Sequence, residues 1–259
     1  MKVDAVVLAG ARNDGLLQEV SECEWEALVP VSGKPMFLYV IDALRQTDKV
    51  CEIVVVGPEE LKEYLDDDIK LVTPANDLTS NVILGIEHLS GENKVLLVTS
   101  DIPFVTSEAI NDFIVRCSDL SSDVYYPVVS KEANEKMFPK VQRTYFRLAE
   151  GTFTGGNLIL VNPEAIKKYH SVVKQTIALR KKPWKLVRLL GCGFIIKFMF
   201  HKLTLSEIER RVEKIFGFSG VAIISPYPEI GVDIDKPSDW RLAEETFAKD
   251  NNFKEERNA

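Results

Sequence analysis

The sequence contains little cysteine or histidine, and the few copies are scattered. Its 259 residues include four cysteines, none of them in a Cys-x-x-Cys pair, and three histidines. Zinc sites and disulfide frameworks depend on clustered ligands or on a suitable pattern of paired cysteines. The spacing therefore argues against both, and the shortage of histidine argues against a histidine-based metal site.

Positive charge is not in excess either. Lysine and arginine number 32 against 39 aspartates and glutamates, which gives a formal net charge of -7. Non-specific nucleic-acid binding requires a basic face, so we expect no nucleic acid among the partners. A nucleotide substrate stays open, because a few local cations and a metal ion can neutralise a triphosphate.

Long hydrophobic runs, internal repeats and low-complexity linkers are also missing. The apolar run near the N-terminus, residues 3–9, is too short for a secretory signal. Hydrophobic residues make up 46% of the chain and charged residues 27%, a composition typical of a packed globular domain. We therefore expect a folded, cytoplasmic protein.

The first half of the chain alternates short apolar runs with segments of helical spacing. Such runs are typical of strands buried on both faces of a parallel sheet, and the alternation indicates βαβ units and an α/β fold. Ser80 is a candidate N-cap for the third helix. Strands are predicted at residues 3–9, 52–56, 69–72 and 94–99, and helices at residues 36–46, 58–65, 80–89 and 107–116.

The alternation ends near residue 120. Further strands are predicted at residues 123–129, 143–148, 152–161, 221–224 and 231–234, and a final helix at residues 237–248. We expect one domain over residues 1–248, with a helical, basic and apolar insertion at about residues 163–216. A polar, frayed tail follows over residues 249–259.

A glycine-containing loop follows the first predicted strand. It reads Leu8-Ala9-Gly10-Ala11-Arg12-Asn13-Asp14-Gly15, with neither the Rossmann glycine spacing nor a Walker A lysine. Open α/β sheets bind ligands at the carboxyl end of such strands, where backbone N–H groups can hold phosphates. Arg12 could add a charge-assisted hydrogen bond. The segment is either a phosphate-binding loop or an ordinary βα turn.

Aspartates follow two other predicted strands. Asp101 comes directly after the apolar run at residues 94–99 and is followed by Pro103. Its carboxylate is either a Mg²⁺ ligand or the N-cap of the helix predicted from Ser107. Asp233 and Asp235 point to one side if their segment is extended. They form either a second pair of metal ligands or a capped helix start.

These motifs occur in the order of a known family. The chain resembles nucleotidyltransferases of the MobA-like NTP transferase type, which make nucleotide sugars, guanylylated molybdenum cofactor and cytidylylated isoprenoid precursors. The resemblance runs from residue 3 to about residue 245. It implies a Rossmann-like three-layer sandwich with a mainly parallel mixed sheet, of the nucleotide-diphospho-sugar transferase type. The matching segments are residues 7–12, residues 31–36, Ser100-Asp101-Ile102-Pro103, and residues 232–239.

The resemblance also implies a reaction and its site residues. An NTP would be coupled to a phosphorylated sugar, polyol or cofactor with Mg²⁺ or Mn²⁺ bound, and pyrophosphate would be released. Asp101 would hold the metal, with Asp235, or less readily Asp233, as the second carboxylate. Arg12 and Lys34 would assist catalysis, although Lys34 also fits a surface lysine before Pro35. The nucleotide would lie against Leu8, Ala9, Gly10, Ala11, Arg12, Ser80 and Asn81, and the acceptor against Thr154, Gly155, Gly156 and Asn157.

One departure from the family concerns Glu26. Many members carry a phosphate-contacting lysine at the position that Glu26 occupies here, and three further glutamates precede it at residues 19, 22 and 24. A carboxylate at this position repels a triphosphate unless it faces away. The alternative function is therefore a nucleotide-binding module of the same fold with weak or no activity.

A basic segment offers a third alternative. Residues 180–214 contain ten lysines and arginines against three glutamates, with aromatic and aliphatic residues between them. Either this segment packs as a helical hairpin on the core or on a second subunit, or it covers an anionic acceptor or an anionic membrane surface. In the last case residues 180–203 would make the protein a peripheral membrane or interaction protein. The stretch is too short and too charged to span a bilayer.

Overall fold

A computed structural model gives the structure of the chain, and it describes residues 1–118, 121–169, 172 and 191–258. Its centre is a mixed sheet with the strand order β5-β4-β1-β6-β10-β7-β9-β8, and β11 pairs with the outer side of β7. The strands of this sheet are β1 (Val3–Leu8), β4 (Val50–Val56), β5 (Lys70–Val72), β6 (Lys94–Thr99), β7 (Val124–Ser130), β8 (Phe146–Arg147), β9 (Thr152–Gly155), β10 (Leu158–Val161) and β11 (Gly220–Ser225).

The half of the sheet built from the first hundred residues is parallel. β1 pairs in parallel with β4 on one side and with β6 on the other, and β5 joins β4 in the same direction. The other half is mixed, because β10 runs antiparallel to β6 and β7, whereas β11 is parallel to β7. The α/β class and the mainly parallel mixed sheet are thus confirmed.

Helices cover both faces of the sheet. Val3, Ala5 and Val7 of β1 pack against helices on one face, and Val6 packs with a helix on the other. This alternation follows from the two-residue period of a strand and gives three layers. The helices are α1 (Met36–Arg45), α2 (Leu78–Glu87), α3 (Ser107–Cys117), α4 (Lys131–Met137), α5 (Cys192–Met199), α6 (Leu205–Phe216) and α7 (Pro237–Asn258), with α1 and α3 on the first face and α2 on the second.

Short 3₁₀ turns and a small ribbon complete the first half and the site edge. The turns are Leu16–Glu19, Glu26–Leu28, Glu59–Tyr64 and Pro228–Gly231. The strands β2 (Pro30–Val31) and β3 (Lys34–Pro35) form a separate antiparallel pair. The helix predicted at residues 58–65 is therefore a 3₁₀ helix, a form common in short connectors.

Several predicted elements differ from the structure. α2 begins earlier than predicted, because Asp77 rather than Ser80 is its N-cap and accepts a hydrogen bond from Ser80 N. Of the strand predicted at residues 143–148, only β8 pairs with a neighbour. The strand predicted at residues 231–234 is wrong, since the 3₁₀ turn ends at Gly231 and no strand lies beside the residues that follow.

The C-terminal part is more helical than expected at its end. α7 continues through residues 249–258, which were predicted to be frayed. Lysine, glutamate and arginine, which make up five of these ten residues, have good intrinsic helix propensity. Of the predicted helical insertion, residues 163–169, α5 and α6 are helical, while residues 170–171 and 173–190 lie outside the described part.

Candidate active site

The carboxyl ends of β1 and β6 bring two predicted segments together. Leu8 is the register partner of Thr99 in the parallel β1–β6 pair. Therefore the loop at residues 9–12 and Asp101 leave the sheet side by side. Asn157 joins them from the antiparallel strand β10, because its carbonyl accepts hydrogen bonds from Thr99 N at 3.2 Å and Thr99 Oγ1 at 3.3 Å.

Three aspartates converge at this edge. Asp101, Asp233 and Asp235 each offer one carboxylate oxygen, and these oxygens all lie within 4.8 Å of one another. A hydrogen bond of 2.9 Å from Ile234 N to the Asp101 carbonyl joins the two segments. Asp233 and Asp235 therefore share a side, as the two-residue alternation of an extended segment predicts.

The donor set suits a hard divalent cation. Oδ1 of Asp101 is buried and has no hydrogen-bond partner among the residues that the structure describes. Burial raises the pKa of Asp101, and the charge of Asp235 acts in the same direction. A buried carboxylate oxygen without a partner is costly, and Mg²⁺ or Mn²⁺ accepts such oxygen ligands. The capping alternative for Asp101 is wrong, because Thr106 is the N-cap of α3.

A cation that the sequence did not single out lies within this cluster. The guanidinium of Arg143 forms an ion pair with Asp233, and both side chains are largely buried, at 13% and 16% exposure. Burial lowers the pKa of Arg143, and the charges of Asp235, Asp239 and Asp101 oppose that change. Arg143 belongs to no motif and precedes a short strand, so its place became visible only from the tertiary structure.

The loop after β1 is held against the acidic segment at residues 24–26. Asn13 N donates to Glu24 O at 2.8 Å, and Glu26 N donates to Ala11 O at 3.1 Å. The guanidinium of Arg12 forms an ion pair with Glu24 and lies 4.5 Å from the centre of the Trp25 ring. At 60% exposure, Arg12 lies at the mouth of the site.

Glu26 does not face away from the site. It is half-buried, and burial together with the charges of Asp101, Asp235 and Asp14 raises its pKa to about 7. The Glu26 carboxylate therefore interacts electrostatically with two of the three clustered aspartates. Close to neutral pH it is partly protonated, so its repulsion of a phosphate chain depends on pH and on nearby cations.

Lys34 lies on β3, on the separate β2–β3 ribbon. Its ammonium forms an ion pair with Asp42 of α1 and lies 4.5 Å from the centre of the Tyr39 ring. These contacts occupy Lys34 with groups outside the aspartate cluster. Its role in catalysis stays a prediction.

Ser80 and Asn81, which are predicted to contact the nucleotide, are adjacent to the loop after β1. Asn81 Oδ1 accepts from Ala75 N at 2.6 Å, and a Cβ on Gly10 would lie 2.9 Å from Pro74 Cβ and 3.6 Å from Asn81 Nδ2. Gly10 is therefore needed for this close approach. Ser80 donates its hydroxyl to Asp77 at 2.9 Å, so in this arrangement its hydroxyl stabilises the start of α2.

The predicted acceptor segment packs against the 3₁₀ turn at Pro228–Gly231. Thr154 is buried, and a Cβ on Gly156 would lie 2.7 Å from Ile230 Cγ2. Gly155 is equally restricted, because a Cβ there would overlap the Tyr126 hydroxyl. Asn157 N donates to Ile230 O at 2.9 Å, and Asn157 Nδ2 is a buried donor without a partner among the described residues.

Glu229 is another group that sequence reasoning missed. It is 5% exposed, one oxygen accepts from Thr106 Oγ1 at 3.1 Å, and the other is buried without a hydrogen-bond partner among the described residues. Burial raises its pKa. Glutamate in a short turn carries no sequence signal for burial.

The described part of the basic segment exposes apolar side chains. Ile196, Phe198, Met199 and Phe200 are between 43% and 69% exposed, and Lys197 forms an ion pair with Glu207. Across the described residues, no helix has the length and apolar character needed to cross a membrane. Residues 180–190 lie outside the described part, so membrane or subunit contact through residues 180–203 stays a prediction.

Comparisons with known proteins support the fold and identify the family. Residues 5–181 match the family model described as MobA-like NTP transferase domain. The chain is 36% identical to a solved hypothetical transferase from Thermus thermophilus, with a TM-score of 0.81 and coverage of 93% of this chain and 100% of that one.

Two curated relatives match over shorter stretches. The bifunctional protein GlmU of Exiguobacterium sibiricum is 27% identical over 125 residues, which cover 46% of this chain and 27% of GlmU. The probable molybdenum cofactor guanylyltransferase of Thermococcus kodakarensis is 34% identical over 96 residues, which cover 34% of this chain and 43% of that protein. The chain thus spans less than half the length of these two relatives.

Proposed function

The chain belongs to the MobA-like NTP transferase family, and on that premise we propose that it couples an NTP to a phosphorylated small acceptor in a metal-dependent reaction. The observation that carries the proposal is the convergence of Asp101, Asp233 and Asp235 within 4.8 Å, beside the loop at residues 9–12. Oδ1 of Asp101, which is buried and has no hydrogen-bond partner among the described residues, has the character of a metal ligand.

The proposed chemistry requires little covalent work from the protein. The loop at residues 9–12 holds the triphosphate through the N–H groups that follow Ala9, whose own N–H donates to Val56 O at 2.8 Å, and residues 154–157 hold the acceptor. An acceptor phosphate oxygen attacks the α-phosphorus in line, and the bond to the bridging oxygen of the leaving pyrophosphate breaks. No general base is needed, because the phosphate acceptor is already ionised. Positioning and charge neutralisation provide most of the acceleration.

Asp101 and Asp235 would hold the divalent ion. When bound, the ion neutralises the phosphate charge that develops during transfer. The ion pair with Arg143 leaves Asp233 less available as a ligand, which favours Asp235 as the second carboxylate.

Pyrophosphate release tests the proposal. The protein is incubated with each NTP, Mg²⁺ or Mn²⁺, and a panel of sugar and polyol phosphates. We expect release that depends on both acceptor and metal, and loss of at least 100-fold in Asp101→Asn, because removal of one charge-stabilising group in an active site commonly has that effect. The matched control is Asp67→Asn, an exposed aspartate distant in sequence from the site. Failure to bind any NTP at millimolar concentration would overturn the proposal.

One observation favours a second candidate, a nucleotide-binding protein with weak turnover. Glu26 faces the aspartate cluster in place of the family's phosphate-contacting lysine. In that case the NTP binds with Mg²⁺ but no acceptor yields pyrophosphate, and Glu26→Lys strengthens NTP binding. Wild-type turnover with any acceptor of the panel would exclude this candidate.

A further inference from the structure

The site holds several carboxylates, and these repel the two phosphate groups that would react there. Asp101, Asp233 and Asp235 lie close together, the charges of Asp101 and Asp235 act on Glu26, and the buried Asp239 is paired with Lys236 at 4.0 Å. Two of these carboxylates can be matched by one divalent ion. An acceptor that arrives with its own phosphate therefore needs a further cation on its side of the site.

The cations expected from the sequence do not lie in that position. Arg12 is 60% exposed and paired with Glu24, and Lys34 is 32% exposed and paired with Asp42. Arg143 differs from both, because its side chain is 13% exposed and its ion pair is made with a member of the aspartate cluster itself.

Arg143 also lies on the acceptor side of the cluster. Its partner Asp233 follows closely after Gly231, where a Cβ would lie 3.4 Å from Gly155 O and 3.7 Å from Thr154 Cγ2. The loop that carries Arg143 then enters β8, which pairs with β9 of the acceptor segment. The loop that carries Arg143 is thus joined to the aspartate cluster through Asp233 and to β9 of the predicted acceptor segment through β8.

The ion pair leaves donors of Arg143 unused. Nη1 makes the ion pair with Asp233, and within the described part of the chain Nε and Nη2 have no hydrogen-bond partner and are not fully buried. Guanidinium presents five N–H donors in a planar fork, which matches phosphate geometry. The Arg143 guanidinium is charged at every working pH, and its remaining N–H groups can bind an anion.

We propose that Arg143 binds the anionic group of the acceptor, a phosphate, while its Nη1 keeps Asp233 out of the metal's coordination. The role of Arg143 as an acceptor-binding residue rests on the proposed nucleotidyl transfer. The experiment that tests phosphate binding does not depend on it. It makes the acceptor subsite a place where one arginine recognises a phosphate beside a metal held by Asp101 and Asp235.

Inorganic phosphate is a suitable probe, because it needs no identified acceptor. Its dissociation constant is measured by ³¹P line broadening at saturating Mg²⁺, and Mn²⁺ affinity is measured in parallel by electron paramagnetic resonance. We expect Arg143→Gln to weaken phosphate binding by roughly 10- to 100-fold, the effect of losing hydrogen bonds to a charged group. Arg143→Lys should lose less, because it keeps the charge without the fork.

Three controls separate this role from a structural one. Lys140→Gln alters an exposed cation of the same loop and should bind phosphate as the wild type does. Asp233→Asn should retain phosphate affinity, and its Mn²⁺ affinity is the reference for the double variant. Because Arg143→Gln leaves Asp233 without its counter-charge, the double variant Arg143→Gln/Asp233→Asn removes both charges, and it should also lose phosphate binding while it keeps Mn²⁺ binding.

Wild-type phosphate affinity in the double variant would overturn the assignment, as would an equal loss in Lys140→Gln. The outcome is independent of turnover. If phosphate and Mn²⁺ bind as expected but no acceptor yields pyrophosphate, the proposed function fails and the Arg143 site stands. If turnover is found and Arg143→Gln leaves the KM for the acceptor unchanged, the Arg143 site fails alone.

Discussion

Replacement of Glu26 by glutamine should stabilise the protein above neutral pH in the absence of metal. In the folded chain this carboxyl is half-buried and close to Asp101, Asp235 and Asp14, so its ionised form is disfavoured. Glutamine keeps the shape of the side chain and removes the charge. The variant therefore loses a repulsion that the wild type acquires on ionisation.

The magnitude follows from the pKa. Folding raises the pKa of Glu26 from its usual 4.5 to about 7, and one pKa unit corresponds to about 1.4 kcal/mol. The full difference is about 3 kcal/mol, which solvent screening of a half-exposed group reduces to roughly 1–2 kcal/mol. For a chain of this size that corresponds to a melting-temperature difference of about 2–8 °C.

The sign sets the pH range. Because folding raises this pKa, protonated Glu26 contributes its full stabilisation to the folded state below about pH 4.5. This stabilisation is lost as the pH rises through about 7. The melting temperatures of wild type and Glu26→Gln should therefore agree near pH 4.5 and separate progressively toward pH 8. Added Mg²⁺ should reduce the separation, because a cation near Asp101 and Asp235 favours ionised Glu26.

Thermal unfolding followed by circular dichroism in EDTA, from pH 4.5 to 8, provides the measurement. Glu22→Gln, an exposed glutamate of the same segment, is the matched control and should follow the wild type at every pH. A Glu26→Gln curve that is parallel to the wild type across this range would refute the reasoning, since no carboxyl facing the cluster would then be titrating.

Three further predictions concern the fold and the site. Gly85→Ala should lower the free energy of unfolding by about 1–3 kcal/mol in urea titrations, because the new Cβ would lie 2.4 Å from Val6 Cγ1 and push α2 off the sheet; an unchanged midpoint would contradict this packing. Thr204→Ala should cost about 1 kcal/mol, since Thr204 forms a capping box with Glu207 at the start of α6, whereas Thr204→Ser should retain most of the stability. An NTP with Mg²⁺ should raise the melting temperature of the wild type but not of Asp101→Asn, as binding to the folded state stabilises it; equal shifts would separate nucleotide binding from this aspartate.

The sequence predicted the parallel half of the fold because its strands are continuous buried runs. Val6, Val54 and Leu96 belong to such runs, and their burial on both faces leaves little choice of structure. The same reasoning placed the loop after Leu8 beside Asp101, since parallel neighbours end at one edge.

The remaining site could not be predicted because it depends on distant pairings. Arg143 and Glu229 lie in connecting segments without periodicity, and only the fold brings them to the aspartates and to Thr106. Residues 231–234 alternate as a strand does, yet they join no strand among the described residues, and Ile234 N donates to the Asp101 carbonyl. The misplaced cap at Ser80 was a local error, since Asp77 caps the helix three residues earlier and accepts from Ser80 N.

The hydrogen bond between Ile234 and Asp101 joins a late segment of the chain to an early one. The site can therefore be completed only after the late segment has been made. β6 and the loop after β1 belong to the first hundred residues, whereas Asp235 and α7 come from the last part of the chain. α7 in turn reaches back to the first segments, where Glu244 accepts from Ser32 N at 2.6 Å and Trp240 Nε1 donates to Pro30 O at 2.8 Å. During synthesis a growing chain can thus form half of the sheet long before Asp101 can meet Asp235, its proposed partner in metal binding. Metal binding would therefore report that the C-terminal segment has docked, and a truncated chain that keeps the sheet would lack the ion.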